Sequence, residues 1–224
     1  MQFYQKLLEV ILPGKNILNI KNLQEDYTPF IKKPFYNSLE FIWVASEYTP
    51  DIKKIINRAK TQGCYDLITP LIDNLILQIA NDTLCKDPVS QELFTLQDIW
   101  PSIISFVPAD PYRNRIRGYH LPIIIAKKLA KTLRSSYIPL AKKQKTTQSQ
   151  SELSRVIRLT NLEGKFELID SRIKEAKSYI DPIVWLIDDV STTGSTLIEV
   201  ASSIKKQLPD SLIYGIVLSG GSDD

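Results

Sequence analysis

Val184-Trp185-Leu186-Ile187-Asp188-Asp189-Val190-Ser191-Thr192-Thr193-Gly194-Ser195-Thr196-Leu197 is the stretch on which the reading of this chain turns. Ile183 to Ile187 is an uninterrupted apolar run, which predicts a strand buried on both faces, as in a parallel sheet. Leu197, Val200, Ala201, Ile204 and Leu208 then repeat at helical spacing, predicting a helix over 197–208. Between strand and helix lie two carboxylates followed by hydroxyl residues and a glycine. Free N–H groups and the positive end of the dipole at a helix start favour a phosphate, and Ser and Thr hydroxyls add donors. Gly194 permits close approach or a positive φ. Ionised carboxylates only accept hydrogen bonds, so Asp188 and Asp189 suit sugar hydroxyls and, through these, a divalent cation. Adjacent aspartates after a buried strand should repel each other unless a cation or a hydroxyl ligand meets them. The layout is that of a sugar-phosphate site.

Working outward, Leu212 to Leu218 predicts a further strand and Ser102 to Val107 another. Leu121 to Leu133 reads as a helix, and Tyr137 to Ala141 as a short strand. Alternating strands and helices of this kind imply an α/β fold, a mostly parallel sheet flanked by helices on both faces. Ligands of such sheets bind beyond the carboxyl ends of the strands, which directs attention to the residues after Val107 and Ile187. The first hundred residues read as a mixed helical and strand attachment. Leu39 to Ala45 predicts a strand, Pro50 opens a helix striped by Ile52, Ile55, Ile56 and Ala59, and a second helix runs from about Tyr65 to Ile79.

With 224 residues and 43% hydrophobic content the chain suffices for a substantial core. No charged start followed by an apolar stretch and cleavage site occurs, nor any long uncharged apolar run, so no membrane span is expected and the location expected is cytoplasmic. Cys64 and Cys85 are too few for a disulfide framework and lack zinc-site spacing; buried inert thiols are expected. His120 is the only histidine, which excludes a multi-histidine metal centre. Net charge is +3, but ten Lys or Arg residues and no acid lie between Pro111 and Ser151. That block favours an anionic ligand, with single-stranded DNA as one candidate. Lys127, Lys128 and Lys131 within it look like the solvated outside of a helix. No GxxxxGK[ST] motif accompanies the two aspartates, which argues against an NTPase. The three tryptophans are expected in the core or flanking strands, and residues 220–224 as a frayed tail.

The segment VWLIDDVSTTGSTL resembles the phosphoribosyl pyrophosphate signature of type I phosphoribosyltransferases, a hydrophobic strand, two acids and TTGxT. Phe106, Val107 and Pro108 followed by Arg113, Arg115, Arg117, Gly118 and Tyr119 resemble the VPVP…RRGFNQ segment of the ComF-like, competence-associated branch. Thr147, Gln150, Leu153, Arg158, Asn161, Gly164 and Phe166 follow its T-x-x-Q-x-x-L…R-x-x-N-x-x-G-x-F pattern, so the resemblance covers about residues 40–218. It implies a type I phosphoribosyltransferase fold over residues 39–224 and transfer of a phosphoribosyl group to a nitrogen nucleophile with release of pyrophosphate. The 5-phosphate would rest on Ser191, Thr192, Thr193, Gly194, Ser195 and Thr196. The ribose hydroxyls, and Mg²⁺ through them, would meet Asp188 and Asp189. Pro108 and Ala109 with Arg113, Arg115 and Arg117 would face the pyrophosphate, and a loop carrying Thr147, Gln150 and Arg158 would close over it. The hood that selects a base would come from residues 1–100.

The chain departs from that pattern in three places. Residues 1–38 contain none of the CxxC pairs expected to bind zinc, and form a degenerate N-terminal segment in this reading. His120 and Leu121 stand where the family has Asn and Gln, and Asp110 places an acid in the pyrophosphate loop. The rival expectation is a non-catalytic protein that keeps the pocket and serves DNA uptake or processing.

Overall fold

In the computed structural model the chain is described for residues 28–34, 38–63, 65–109, 120–143 and 166–221. Its centre is a six-stranded sheet built from β1 (Phe30–Lys32), β2 (Ile42–Val44), β5 (Ile103–Phe106), β6 (Ser136–Tyr137), β9 (Ile183–Ser191) and β10 (Leu212–Gly220). The strand order is β1-β2-β10-β9-β5-β6. Only the β1–β2 pair is antiparallel; every other neighbouring pair is parallel. Helices α1 (Pro50–Gln62), α2 (Thr69–Ala80) and α3 (Leu121–Leu133) pack on one face, and α4 (Asp170–Ala176) and α5 (Ser195–Lys205) on the other. The protein is therefore α/β, with a mixed, mostly parallel sheet covered on both sides.

Strand alternation assigns the faces. Trp43, Trp185, Ile187, Tyr214 and Ile216 join the core beneath α1–α3, whereas Val44, Val184, Leu186, Ile213 and Val217 join the core beneath α5. Burying both faces explains why Ile183 to Ile187 carries no polar residue. Trp43 and Trp185 are fully enclosed, while Trp100 flanks β5 and is 44% exposed.

Helix α1 starts where Pro50 indicates, with Thr49 capping Ile52 N, and ends at Gly63 in the left-handed region. The predicted helix from Tyr65 begins instead as a 3-10 turn over Tyr65–Ile68, and α2 follows from Thr69. Pro70 supplies the reason, since it lacks an N–H and fits a helix only in its first turn. The strand predicted over Tyr137 to Ala141 divides at Pro139. Its first part is β6, while β7 (Ala141–Lys143) pairs with β8 (Phe166–Leu168) in a separate antiparallel ribbon. A second small ribbon, β3 (Cys85–Lys86) with β4 (Leu93–Phe94), was not evident in the sequence.

Polar residues bind α2 to the sheet. Trp43 Nε1 donates to Gln78 Oε1 at 3.0 Å, and Gln78 Nε2 donates to the Ala45 carbonyl at 2.7 Å. Lys128 leaves the expected solvated face of α3, since its ammonium lies 2.9 Å from the buried Asp73 of α2. Lys127 and Lys131 are exposed as expected. Cys85 is buried and its thiol is pushed up to about 12 by that burial, which makes it inert at neutral pH. Cys64 lies outside the described residues. Gly220, expected in a frayed tail, instead donates to the Ser46 carbonyl at 3.1 Å and accepts from Tyr48 N at 2.9 Å. No helix among the described residues is long and apolar enough to cross a membrane.

Candidate functional site

Parallel pairing brings the carboxyl ends of β2, β10, β9 and β5 to one edge of the sheet, and Asp188, Asp189, Pro108 and Ala109 lie along it. Val107 N donates to the Ile187 carbonyl at 2.9 Å, so Pro108 and Ala109 emerge directly beside the acidic pair. β9 does not stop at Ile187, where the apolar run ends. Its ladder with β10 continues through Asp188, Val190 and Ser191, which makes the two aspartates part of a rigid strand.

Asp189 lies on the α1–α3 face and is 6% exposed. Its Oδ1 receives the Lys60 ammonium at 2.8 Å. Lys60 sits in the last turn of α1, where the carbonyl end of the helix dipole also favours a cation. The cation demanded by adjacent aspartates is thus supplied by the chain itself, from a helix 129 residues away in sequence. Asp188 is half-buried, and its Oδ1 accepts from the amide of Asp189 at 2.9 Å. Burial pushes the Asp188 carboxyl above its ordinary range, to about 8, and the Asp189 carboxylate reinforces the rise. The Asp189 amide and the Lys60 ammonium pull it the other way. Among the described residues neither Asp188 Oδ2 nor Asp189 Oδ2 carries a hydrogen bond, so the pair presents two unengaged carboxylate oxygens.

The loop from Ser191 to Gly194 leads into α5. Gly194 has φ +72, and a Cβ built on it would lie 2.6 Å from Ile42 Cδ1. The left-handed backbone favours glycine there, and a Cβ would also oblige the tip of the Ile42 side chain to move aside. Thr192, Thr193, Ser195 and Thr196 are exposed around the helix start, with Thr193 Oγ1 3.1 Å from Ser195 Oγ. Ser191 is 5% exposed and its Oγ has no hydrogen-bond partner among the described residues. That hydroxyl lies 3.9 Å from where a Cβ of Gly194 would be, so it is directed into the loop. A buried hydroxyl without a partner is costly, and an anion at the helix start would satisfy it. Lys32 of β1 fixes the loop from outside, donating from Nζ to the Thr192 carbonyl at 2.9 Å.

His120 completes the neighbourhood at the start of α3. Burial pushes its imidazole down, to about 4; the Asp189 carboxylate opposes the shift and the Lys60 ammonium adds to it. It is therefore neutral near pH 7, and its buried Nδ1 has no partner among the described residues. The sequence marked His120 only as a departure from a pattern, and gave Lys60 and Lys32 no role. The signal for Lys60 was indirect: two carboxylates at a strand end needed a cation. Arg113, Arg115, Arg117, Thr147, Gln150 and Arg158 lie outside the described residues.

Among the described residues no group of three or more His, Cys, Asp or Glu side chains is arranged to hold a metal. The site instead offers carboxylate oxygens beside a helix start, whose free amides favour an anion. That donor set fits a hard cation arriving with oxygens of its own ligand, as Mg²⁺ does with phosphates.

No protein-family model matches the chain. Competence protein F of Haemophilus influenzae is 33% identical to it over 107 residues. The match covers 47% of this chain and 45% of that protein, so less than half of either is compared. Over that region the chain has a ComF-like relationship.

Proposed function

We propose that this chain binds phosphoribosyl pyrophosphate with Mg²⁺ and transfers the phosphoribosyl group to a nitrogen nucleophile, releasing pyrophosphate, in a fold of the type I phosphoribosyltransferase kind. One observation carries the reading. Among the described residues, two carboxylate oxygens without a hydrogen bond on a rigid strand end stand one short loop from a helix start beside a buried hydroxyl that has no partner. That spacing suits a ligand carrying vicinal hydroxyls at one end and a phosphate at the other.

In this reading the Ser191–Thr196 loop takes the 5-phosphate through its amides and hydroxyls, and Gly194 keeps the backbone in the shape that exposes them. Asp189, its Oδ1 held by Lys60, accepts from one ribose hydroxyl, and Asp188, whose carboxyl lies at about 8 in the empty site, would accept from the other once ligand and cation binding displace its proton. Leaving-group departure builds positive charge on the sugar, and these carboxylates stabilise it. Mg²⁺, when bound, neutralises charge on the departing pyrophosphate. Pro108 and Ala109 flank the side from which pyrophosphate leaves, with Arg113, Arg115 and Arg117 proposed to complete it. Thr147, Gln150 and Arg158 are proposed for the closing loop.

Thermal unfolding with Mg²⁺ and phosphoribosyl pyrophosphate tests this. A ligand at 100 times its dissociation constant stabilises by about 2.7 kcal/mol, and the shift should vanish in Asp188→Asn/Asp189→Asn. No shift at millimolar ligand overturns the reading. Binding without turnover of any nucleobase would favour the second reading, a ligand-binding accessory of DNA uptake or processing; the similarity to Competence protein F supports an association with competence under either reading.

A further inference from the structure

We infer that Lys60 is a positioning residue of the site: its ammonium, fixed to Asp189 Oδ1, holds that carboxylate so that Oδ2 faces the ligand's hydroxyls. The inference rests on the reading above, and it extends the site to a residue of the N-terminal half that no resemblance assigns.

Three observations converge. Asp189 is buried, at 6% exposure, and a buried charged group is costly unless a partner meets it. The Lys60 ammonium at 2.8 Å occupies one oxygen and leaves the other without a hydrogen bond among the described residues. Lys60 is itself well held. Its helix is capped at both ends by Thr49 and Gly63, and Ile52, Ile56 and Ala59 bury its inner face. A flexible surface lysine would lose this geometry to rotamer freedom, whereas one on a packed helix keeps it. The side chain of Lys60 is 29% exposed against 9% for Asp189, so the ammonium keeps more contact with water than the carboxylate it meets.

The test uses the full chain, two probes and three variants, read by calorimetric titration. Inorganic phosphate should engage only the loop over 191–196, whereas ribose 5-phosphate should engage the loop and the acidic pair. Lys60→Met should weaken ribose 5-phosphate binding tenfold or more and leave phosphate binding within about twofold. Lys60→Arg, which keeps the charge, should restore ribose 5-phosphate binding to within about threefold of the parent. Asp189→Asn should behave like Lys60→Met, and the double variant Lys60→Met/Asp189→Asn should be no worse than either. Unchanged or tighter ribose 5-phosphate binding in Lys60→Met overturns the inference and leaves the sugar-phosphate reading intact. Equal loss of both probes also overturns it, because it assigns Lys60 a purely structural role. Failure of the parent protein to bind ribose 5-phosphate overturns both.

Discussion

Two ion pairs in this protein are nearly identical in geometry and differ in what they leave unfinished. Lys128 meets Asp73 at 2.9 Å and Lys60 meets Asp189 at 2.8 Å, each a partly exposed lysine on a buried carboxylate. The first joins α3 to α2 deep against the hydrophobic core. The second joins α1 to a strand end where a neighbouring carboxylate, a neutral histidine and an unpartnered hydroxyl also gather. One pair secures a helix; the other borders a set of polar groups that the folded chain leaves partly unsatisfied. What distinguishes the second pair is its setting at the carboxyl end of a parallel sheet, beside Ser191 Oγ and His120 Nδ1, two buried polar atoms that have no hydrogen-bond partner among the described residues.

The sharpest way to break this comparison is to remove each lysine and follow stability alone. Lys128→Met takes the ammonium from the buried Asp73, and unfolding by denaturant should show a loss of about 3 kcal/mol, recovered in large part by Asp73→Leu in the same chain. An effect below about 1 kcal/mol would make the two pairs equivalent surface contacts. A smaller loss is expected from acid. The unfolded chain protonates His120 near 6.5 while the folded protein resists until about 4, so the unfolded state binds more protons in that window. Stability from this group is complete above 6.5 and declines as pH falls towards 4, by about 2 kcal/mol once the partial exposure of the ring is allowed for. His120→Phe should flatten that part of the pH–stability curve; an unchanged curve would remove His120 from the account. The smallest loss is expected from Gly194→Ala, at about 1–2 kcal/mol from the left-handed backbone and the approach of Ile42. The same variant should lose phosphate binding outright, so the effect on binding exceeds the effect on stability.

The half of the fold that could be read from sequence is the half whose elements repeat hydrophobic residues at a fixed spacing. Ile183 to Ile187, Leu121 to Leu133 and Leu212 to Leu218 each show it, and each is present in the structure. The acidic pair and glycine loop were legible because strand end, carboxylates and helix start are contiguous. What could not be read has a common cause. β9 runs past its apolar residues because backbone pairing with β10 continues irrespective of side chain. Short ribbons such as β3–β4 and β7–β8 are too brief to show alternation. Lys60 and Lys32 act across long stretches of chain, and nothing near either residue distinguishes it from other lysines. Tertiary pairing, not local pattern, decides which lysine finds a carboxylate.

The strand order also bears on how the molecule is made. β2, the second described strand, lies parallel to β10, the last, with Ile42 opposite Gly215 and Glu47 bridged to Gly220. A chain emerging from the ribosome therefore exposes the apolar faces of β2 and of the helices beside it until β10 is synthesised. Joining strands so far apart demands closure of nearly the whole chain, which slows folding. The edge of the sheet that carries Asp188 and Asp189 therefore cannot be assembled before β10 is made, and a chain shortened before β10 would lack the strand that joins β2 to β9.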